Sequence, residues 1–366
     1  MLGCRPSGTE QAASRCDPVD GSTLGRRAAP LGAPPSKGGP RLARLQLSIA
    51  FQPNLRNRAV LDGAIPVEGV ELVPSFLHPA ETFWRQLKHA EFDVSELSLS
   101  SYLIALDHGE AEFTGVPVFT SRRLFHTDIL VRDGAGIDAP EDLVGKRIGI
   151  PEYQQTGAVW VRAALQHEFG VSPGQVEWWM GRSRDLSHAA ATGSGFPAGV
   201  TVRHLAAGDD LGSMILRGDL DALGMYVRGT MVDRASADLE HDPRVRRLFP
   251  DPVAEGIRYI AKTGIYPINH ILVVRRSLVE RHPWLPQNLY DAFVESKRAG
   301  ESELRTDAAD YVAAGAMTIA AGDPMPYGFR ANAHVLDALR QHSLEQGLTT
   351  RLIGFDEIFA PAMLDL

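Results

Sequence analysis

Residues 146–170 constrain this chain most. Lys146-Arg147-Ile148-Gly149-Ile150 reads as a short buried strand, Thr156 is a good N-cap, and Ala158–Phe169 follows as a helix stopped by Gly170. The same order of strand, turn and helix recurs. Leu45, Leu47, Ile49 and Phe51 alternate with polar or small residues until Pro53-Asn54 breaks the strand. Pro79 opens a helix with Phe83, Trp84 and Leu87 on one face. Phe92-Asp93-Val94 reads as a short strand, and Ser100 as the cap of a helix through Leu106 that ends near Gly109. Asp128–Val131, Val176–Met180, Leu220–Val227 and Ile268–Val274 are further predicted strands, and Leu211–Leu216 a helix with Gly218 as its stop. From Ser277 the chain reads as helical, with a break at Pro283 and Pro286. Short strands alternating with helices predict an α/β fold with mainly parallel sheets.

At 366 residues the chain is long enough for two domains. It lacks any run near the ~18 apolar residues of a membrane helix, so an integral membrane protein is not expected. The charge of 37 − 45 = −8 without a basic block argues against a nucleic-acid surface. Cys4 and Cys16 both precede the first strand, which disfavours a disulfide framework, a cysteine–zinc site or a cysteine nucleophile. Residues 1–40 hold 7 Gly and 6 Pro with almost no Ile, Val or Phe, too little apolar surface to offset chain entropy. Residues 1–43 are therefore expected to be a disordered extension or the product of an upstream-misassigned start. With no hydrophobic core of a secretory signal there, the expected location is cytoplasmic.

Two long stretches carry a family resemblance. Phe92-Asp93-Val94-Ser95-Glu96-Leu97-Ser98-Leu99-Ser100-Ser101-Tyr102 is one, and Gly145-Lys146-Arg147-Ile148-Gly149-Ile150-Pro151-Glu152-Tyr153-Gln154-Gln155-Thr156 is the other. With Tyr266-Pro267-Ile268-Asn269-His270, Pro283-Trp284 and Asp323-Pro324-Met325-Pro326-Tyr327-Gly328, they resemble the 4,5-dihydroxyphthalate decarboxylase family from about Leu45 to the C-terminus. Gln155 and the segment Gly181–Gly199 depart from the family's usual pattern. The resemblance implies a type II periplasmic-binding-protein-like fold with a ligand cleft between two lobes. The expected division is 44–139 plus 266–366 for the first lobe and 140–265 for the second.

The implied activity is non-oxidative loss of CO2 from a dihydroxylated aromatic dicarboxylate, most simply 4,5-dihydroxyphthalate giving protocatechuate. Such a reaction needs donors for two carboxylates, a base near the phenol, an acid near the ring carbon, and exclusion of water. Arg56 and Arg58 follow the first strand, where an arginine can grip a carboxylate, although a solvated loop is the plain alternative. Ser98, Ser100 and Ser101 stand at a helix start, and Tyr153, Gln154, Gln155 and Thr156 at another; both places suit anions as well as ordinary capping. Glu152 is a candidate base. His270, beside Asn269 and near the expected second crossover, and His126 are candidate proton carriers. Tyr226, with Arg228, is expected to reach the cleft from the second lobe, with core packing as the alternative. Trp178-Trp179 is assigned to the sheet.

His78-Pro79-Ala80-Glu81 has no partner motif for a metal, Gly193–Gly199 lacks nucleotide-loop spacing, and no Gly-x-Ser-x-Gly elbow occurs. No cofactor is expected. The expected partner is a small aromatic carboxylate, with no nucleic acid or membrane, and self-assembly into a homo-oligomer stays open. The rival reading is a non-catalytic solute-binding protein of an ABC-type uptake or sensing system. A third is an enzyme of the same fold acting on another ring or a cofactor precursor.

Overall fold

The computed structural model describes residues 44–229, 231–300, 308–317 and 323–366, so the expected N-terminal extension lies outside the described residues. The first section contains β1 (Leu45–Phe51), α1 (Arg58–Leu61), β2 (Val70–Phe76), α2 (Pro79–His89), β3 (Val94–Ser98), α3 (Leu99–Asp107) and β4 (Phe113–Arg122). The second contains β5 (Leu130–Arg132), β6 (Arg147–Ile150), α4 (Thr156–Phe169), β7 (Glu177–Met180), α5 (His188–Ala191) and β8 (Thr201–His204). It continues with α6 (Leu211–Arg217), β9 (Ala222–Leu223), β10 (Val245–Arg247) and α7 (Pro252–Thr263). The chain then forms β11 (Ile268–Arg275), α8 (Arg276–Arg281), α9 (Leu285–Ala299), α10 (Ala333–Glu345) and α11 (Phe355–Ile358).

Two sheets result. The first has the order β2-β1-β3-β11-β4, the second β10-β5-β9-β6-β7-β8. Parallel pairing joins β1 to β2 and β3, and β6 to β7 and β9, as expected from the alternation of strands and helices. Both sheets are nonetheless mixed. β11 runs antiparallel between β3 and β4, and β5 and β10 form an antiparallel margin on the second sheet. The strand β5 thus belongs to the second sheet, ahead of the expected lobe boundary at 139/140, because it pairs with β9 and β10. The edge strand β2 carries Pro74, which a central strand would not tolerate.

Several local readings shift. Helix α4 begins at Thr156 with Gln155 at its cap, so the threonine hydroxyl is free for other partners. Strand β3 begins at Val94 and α3 at Leu99, later and earlier than expected. Only Ala222–Leu223 of the predicted strand 220–227 pairs with neighbours. The buried strand β4 and the edge strand β2 were not expected. The stops at Gly170 and Gly218 fall as predicted, at φ +70° and +87°, where a side chain would be strained.

Helix α4 is apolar on most of its circumference and buried from Thr156 to Leu165. Trp160 Nε1 donates to Ile268 O on β11 at 2.9 Å, and Arg162 stacks 3.8 Å over the Tyr153 ring. The first contact ties a second-sheet helix to the first sheet, and the second ties the helix to the turn that precedes it. No helix among the described residues is long and apolar enough to cross a membrane.

Candidate active site

A cavity of about 260 Å³ opens where β1, β2 and β3 end, facing the start of α4. From the first sheet come Gln52 after β1, His78 after β2, Ser98 at the end of β3, Ser121 and Arg122 at the end of β4, and Asn269 and His270 of β11. The second contributes Gln155, Thr156 and Gly157 after β6, Arg182 after β7, then Val227 and Asp233. Strand ends of this kind are the usual ligand position in open α/β sheets.

The best-defined pair is Glu96 and His270. Alternation along β3 puts Glu96 and Ser98 on one face, and His270 stands opposite Ser98 in the antiparallel pair. The register against β4 shifts on both sides of His270, which re-aims the strand there. His270 Nδ1 lies 2.9 Å from Glu96 Oε2. The Glu96 carboxylate, 2% exposed, also accepts from Gln52 N at 3.0 Å and Thr120 Oγ1 at 3.2 Å. A carboxylate so held assigns the His270 proton to Nδ1, leaving Nε2 as the ring nitrogen for a ligand. The edge of the Phe83 ring packs on His270, with centroids 4.7 Å apart.

Ser98 and Thr156 join the two helix starts. Their hydroxyls are 2.9 Å apart, Ser100 N donates to Thr156 Oγ1 at 3.0 Å, and Ser100 Oγ donates to Gln154 O at 2.5 Å. Behind them runs a buried chain with a defined direction. Arg182 Nε donates to Asp233 Oδ1 at 2.6 Å, and its Nη1 donates to His188 Nε2 at 2.6 Å. The His188 proton must then sit on Nδ1, 2.7 Å from Ser101 Oγ, and Ser101 donates onward to Ser98 Oγ at 3.2 Å. Ser98 Oγ also accepts from Thr156 N at 3.3 Å. With both acceptor positions of Ser98 used, its own proton goes to Thr156 Oγ1, and the Thr156 proton can go either to Ser100 Oγ at 3.2 Å or to a ligand in the cavity. Burial foremost, and then the charge of Arg182, hold the His188 pKa well below its ordinary value, so the ring is neutral.

His78 caps α2, its Nδ1 accepting from Ala80 N at 3.2 Å. Burial lowers its pKa; the raising effect of Asp233 is opposed by Arg182. The neutral ring therefore carries its proton on Nε2, as a donor. Arg122 is a partly buried cation of the wall, which it shares with the buried Arg182. Burial brings the Arg122 pKa down to about 10, which leaves it charged at neutral pH. Its Nη2 donates to Pro326 O at 3.0 Å, while Nε is buried with no hydrogen-bond partner among the described residues. Of the amides that line the cavity, Gln155 Oε1 and Asn269 Oδ1 have no hydrogen-bond partner among the described residues.

The structure thus brings Ser98, Gln155, Thr156, Asn269 and His270 together and sends the other sequence candidates elsewhere. Glu152 is fully buried and accepts from His188 N at 2.9 Å and Gln154 N at 3.3 Å, holding the start of α5 instead of facing a ligand. Tyr153 packs under Arg162, and Gln154 hydrogen-bonds Ser194. Ser100 supports Thr156 from behind, without lining the cavity. His126 is buried against Tyr259 and Phe249, 3.2 Å from Glu255 Oε1. Arg56 turns to Thr120 O at 3.5 Å and Met325 Sδ at 3.1 Å, and Arg58 is exposed on α1. Tyr226 donates to Ala237 O at 2.7 Å and, with Arg228, lines a separate groove of about 610 Å³. Sequence reasoning missed Glu96, His78, Arg122, Arg182 and Asp233. Glu96 had a signal, a lone carboxylate in an otherwise apolar or small-residue strand.

No protein-family model matches the chain. Among solved structures it resembles the periplasmic aliphatic sulphonate binding protein SsuA from Escherichia coli at TM-score 0.52 and 14% identity, covering 88% of this chain and 99% of that one. It also resembles the desulfurization enzyme DSZB at TM-score 0.50 and 17% identity, covering 88% and 98%. The fold is therefore periplasmic-binding-protein-like, as expected, and it serves both a binding protein and an enzyme. Relatives in sequence are more specific. The 4,5-dihydroxyphthalate decarboxylase of Pseudomonas putida is 37% identical over 210 residues, 57% of this chain and 79% of the relative. That of Comamonas testosteroni is 35% identical over 333 residues, 88% of this chain and 99% of the relative. With that identity along nearly the whole relative, the chain belongs to the 4,5-dihydroxyphthalate decarboxylase family.

Proposed function

We propose that this chain removes CO2 from a dihydroxylated aromatic dicarboxylate, 4,5-dihydroxyphthalate, to give protocatechuate. The observation that carries the reading is the Glu96–His270 pair, whose imidazole lines one small cavity together with Ser98, Thr156 and Arg122. A non-catalytic binding site has no need of an acid aligned by a buried carboxylate. Family membership supports the same reading.

In this mechanism Arg122, the Ser98–Thr156 pair and the amide end of α4 hold the two carboxylates. Asn269 and Gln155 accept from the phenolic hydroxyls, and His78 donates through Nε2. Protonated His270 gives its Nε2 proton to the ring carbon that bears the departing carboxylate. The electron pair for the new C–H bond comes from the ring, supported by release from the para hydroxyl. The C–C bond to the carboxylate then breaks, its pair restores aromaticity, and CO2 leaves. His270 regains a proton from solvent, and Glu96 keeps the ring oriented between turnovers. The sequence uses no metal or organic cofactor. The reading includes a cytoplasmic site of action, which cell fractionation tests.

The test is incubation with 4,5-dihydroxyphthalate, following CO2 and protocatechuate together. Stoichiometric release of both supports the proposal. Tight binding without product overturns it in favour of solute binding.

A further inference from the structure

Away from the cavity, the last turn of α4 packs against the last turn of α10. His167 Nε2 lies 2.8 Å from Glu345 Oε2, and His342 Nδ1 lies 3.6 Å from the same oxygen. The three ligand-type atoms all fall within 4.8 Å of one another. His342 and Glu345 are three residues apart on one helix, so they share a face. Gln166 Nε2 donates to Glu345 Oε1 at 2.8 Å and thereby leaves Oε2 toward the two imidazoles.

One of these groups lacks what the others have. His342 Nδ1 is buried and has no hydrogen-bond partner, since 3.6 Å is beyond hydrogen-bond reach. The ring, with a side chain only 16% exposed, sits edge-on to Trp160 at 5.5 Å between centroids and cannot simply swing out to water. A buried ring nitrogen left unpaired is costly unless something fills the position.

We propose that His167, His342 and Glu345 form a site for a divalent transition-metal ion of the Zn²⁺ class, clamping α4 to α10. Bond lengths of about 2.0–2.2 Å in a tetrahedral site put ligand atoms roughly 3.3 Å apart, which the present 2.8 and 3.6 Å bracket. Two imidazoles and one carboxylate suit zinc, nickel or copper better than magnesium or calcium. Exposure of His167 and Glu345 leaves the fourth position to water. The site serves stability and not turnover. His167 is 167 − 156 = 11 residues along α4 from Thr156, about 16 Å of helix axis away from the cavity.

The experiment uses the full chain, freed of metal by chelation and titrated with Zn²⁺ by calorimetry, with Co²⁺ absorption as a second reading. One equivalent should bind to the parent and be lost in both H167Q and E345Q, whose exposed positions spare the fold. Zn²⁺ should raise the thermal midpoint by a few degrees in the parent and in neither variant, while Mg²⁺ does nothing. Turnover should be the same in all three proteins, so failure here is distinguishable from failure of the decarboxylase reading. Equal Zn²⁺ stoichiometry and affinity in parent and variants would overturn the proposal, since the metal would then bind elsewhere. No Zn²⁺ binding by the parent would overturn it outright.

Discussion

Glu96 Oε2 lies 2.9 Å from His270 Nδ1, although the two residues are 174 positions apart in the chain. The carboxylate fixes the imidazole tautomer and holds the ring in place. H270N should therefore lower turnover of 4,5-dihydroxyphthalate by about 10²–10⁴-fold while ligand still raises the thermal midpoint. E96Q keeps the shape but loses the charge, and its rate loss should fall between parent and H270N. Steady-state kinetics with thermal-shift titration checks both, and full turnover in H270N removes the histidine from the mechanism.

In the proposed mechanism Ser98 and Thr156 act on binding before chemistry. S98A should raise KM by about 10-fold or more with a smaller change in kcat, because a hydrogen bond to a charged group is worth ~1.5–3 kcal/mol. T156V also strips the acceptor from Ser100 N and should cost ~1–3 kcal/mol of stability, read by urea unfolding. A pure kcat effect in S98A would contradict the assignment.

Stability should fall on acidification below neutrality. His188 is held neutral by burial, so its folded pKa lies below the ordinary 6.5 while the unfolded chain takes up a proton near that value. The unfolded state then binds more protons in that window, and stability declines as pH drops below about 6.5, by up to ~1.4 kcal/mol per pH unit for each such histidine. His78 and His342 are shifted the same way and add to the slope. Thermal midpoints from about pH 8 to about pH 5 measure it. H188Q should give a shallower decline, and an unchanged slope would refute the role of His188.

Gly157, the second residue of α4, has no space for a methyl group. A Cβ there would come within 2.7 Å of Phe125 Cδ2 and 2.8 Å of Met225 Sδ. G157A should thus destabilise by ~1–3 kcal/mol, although alanine is the better helix former. Since Phe125 lines the cavity, KM should rise as well. Urea unfolding and kinetics on the same variant check the pair of effects.

The chain's local chemistry was enough for many of the elements and for part of the site. An alternating apolar run gives β1, Pro79 the start of α2, and Gly170 and Gly218 the ends of α4 and α6, because each signal acts within a few residues. Ser98, Gln155, Thr156, Asn269 and His270 were legible as cleft residues through strand-to-helix junctions and the family resemblance. Tertiary structure alone decided what those residues do. Insertion of β11 between β3 and β4 put His270 opposite Ser98 and near Glu96, and strand pairing over that separation leaves no periodic trace. It also diverted Arg56 to Thr120 and Glu152 to the start of α5, since a buried charge turns to the nearest partners that satisfy it.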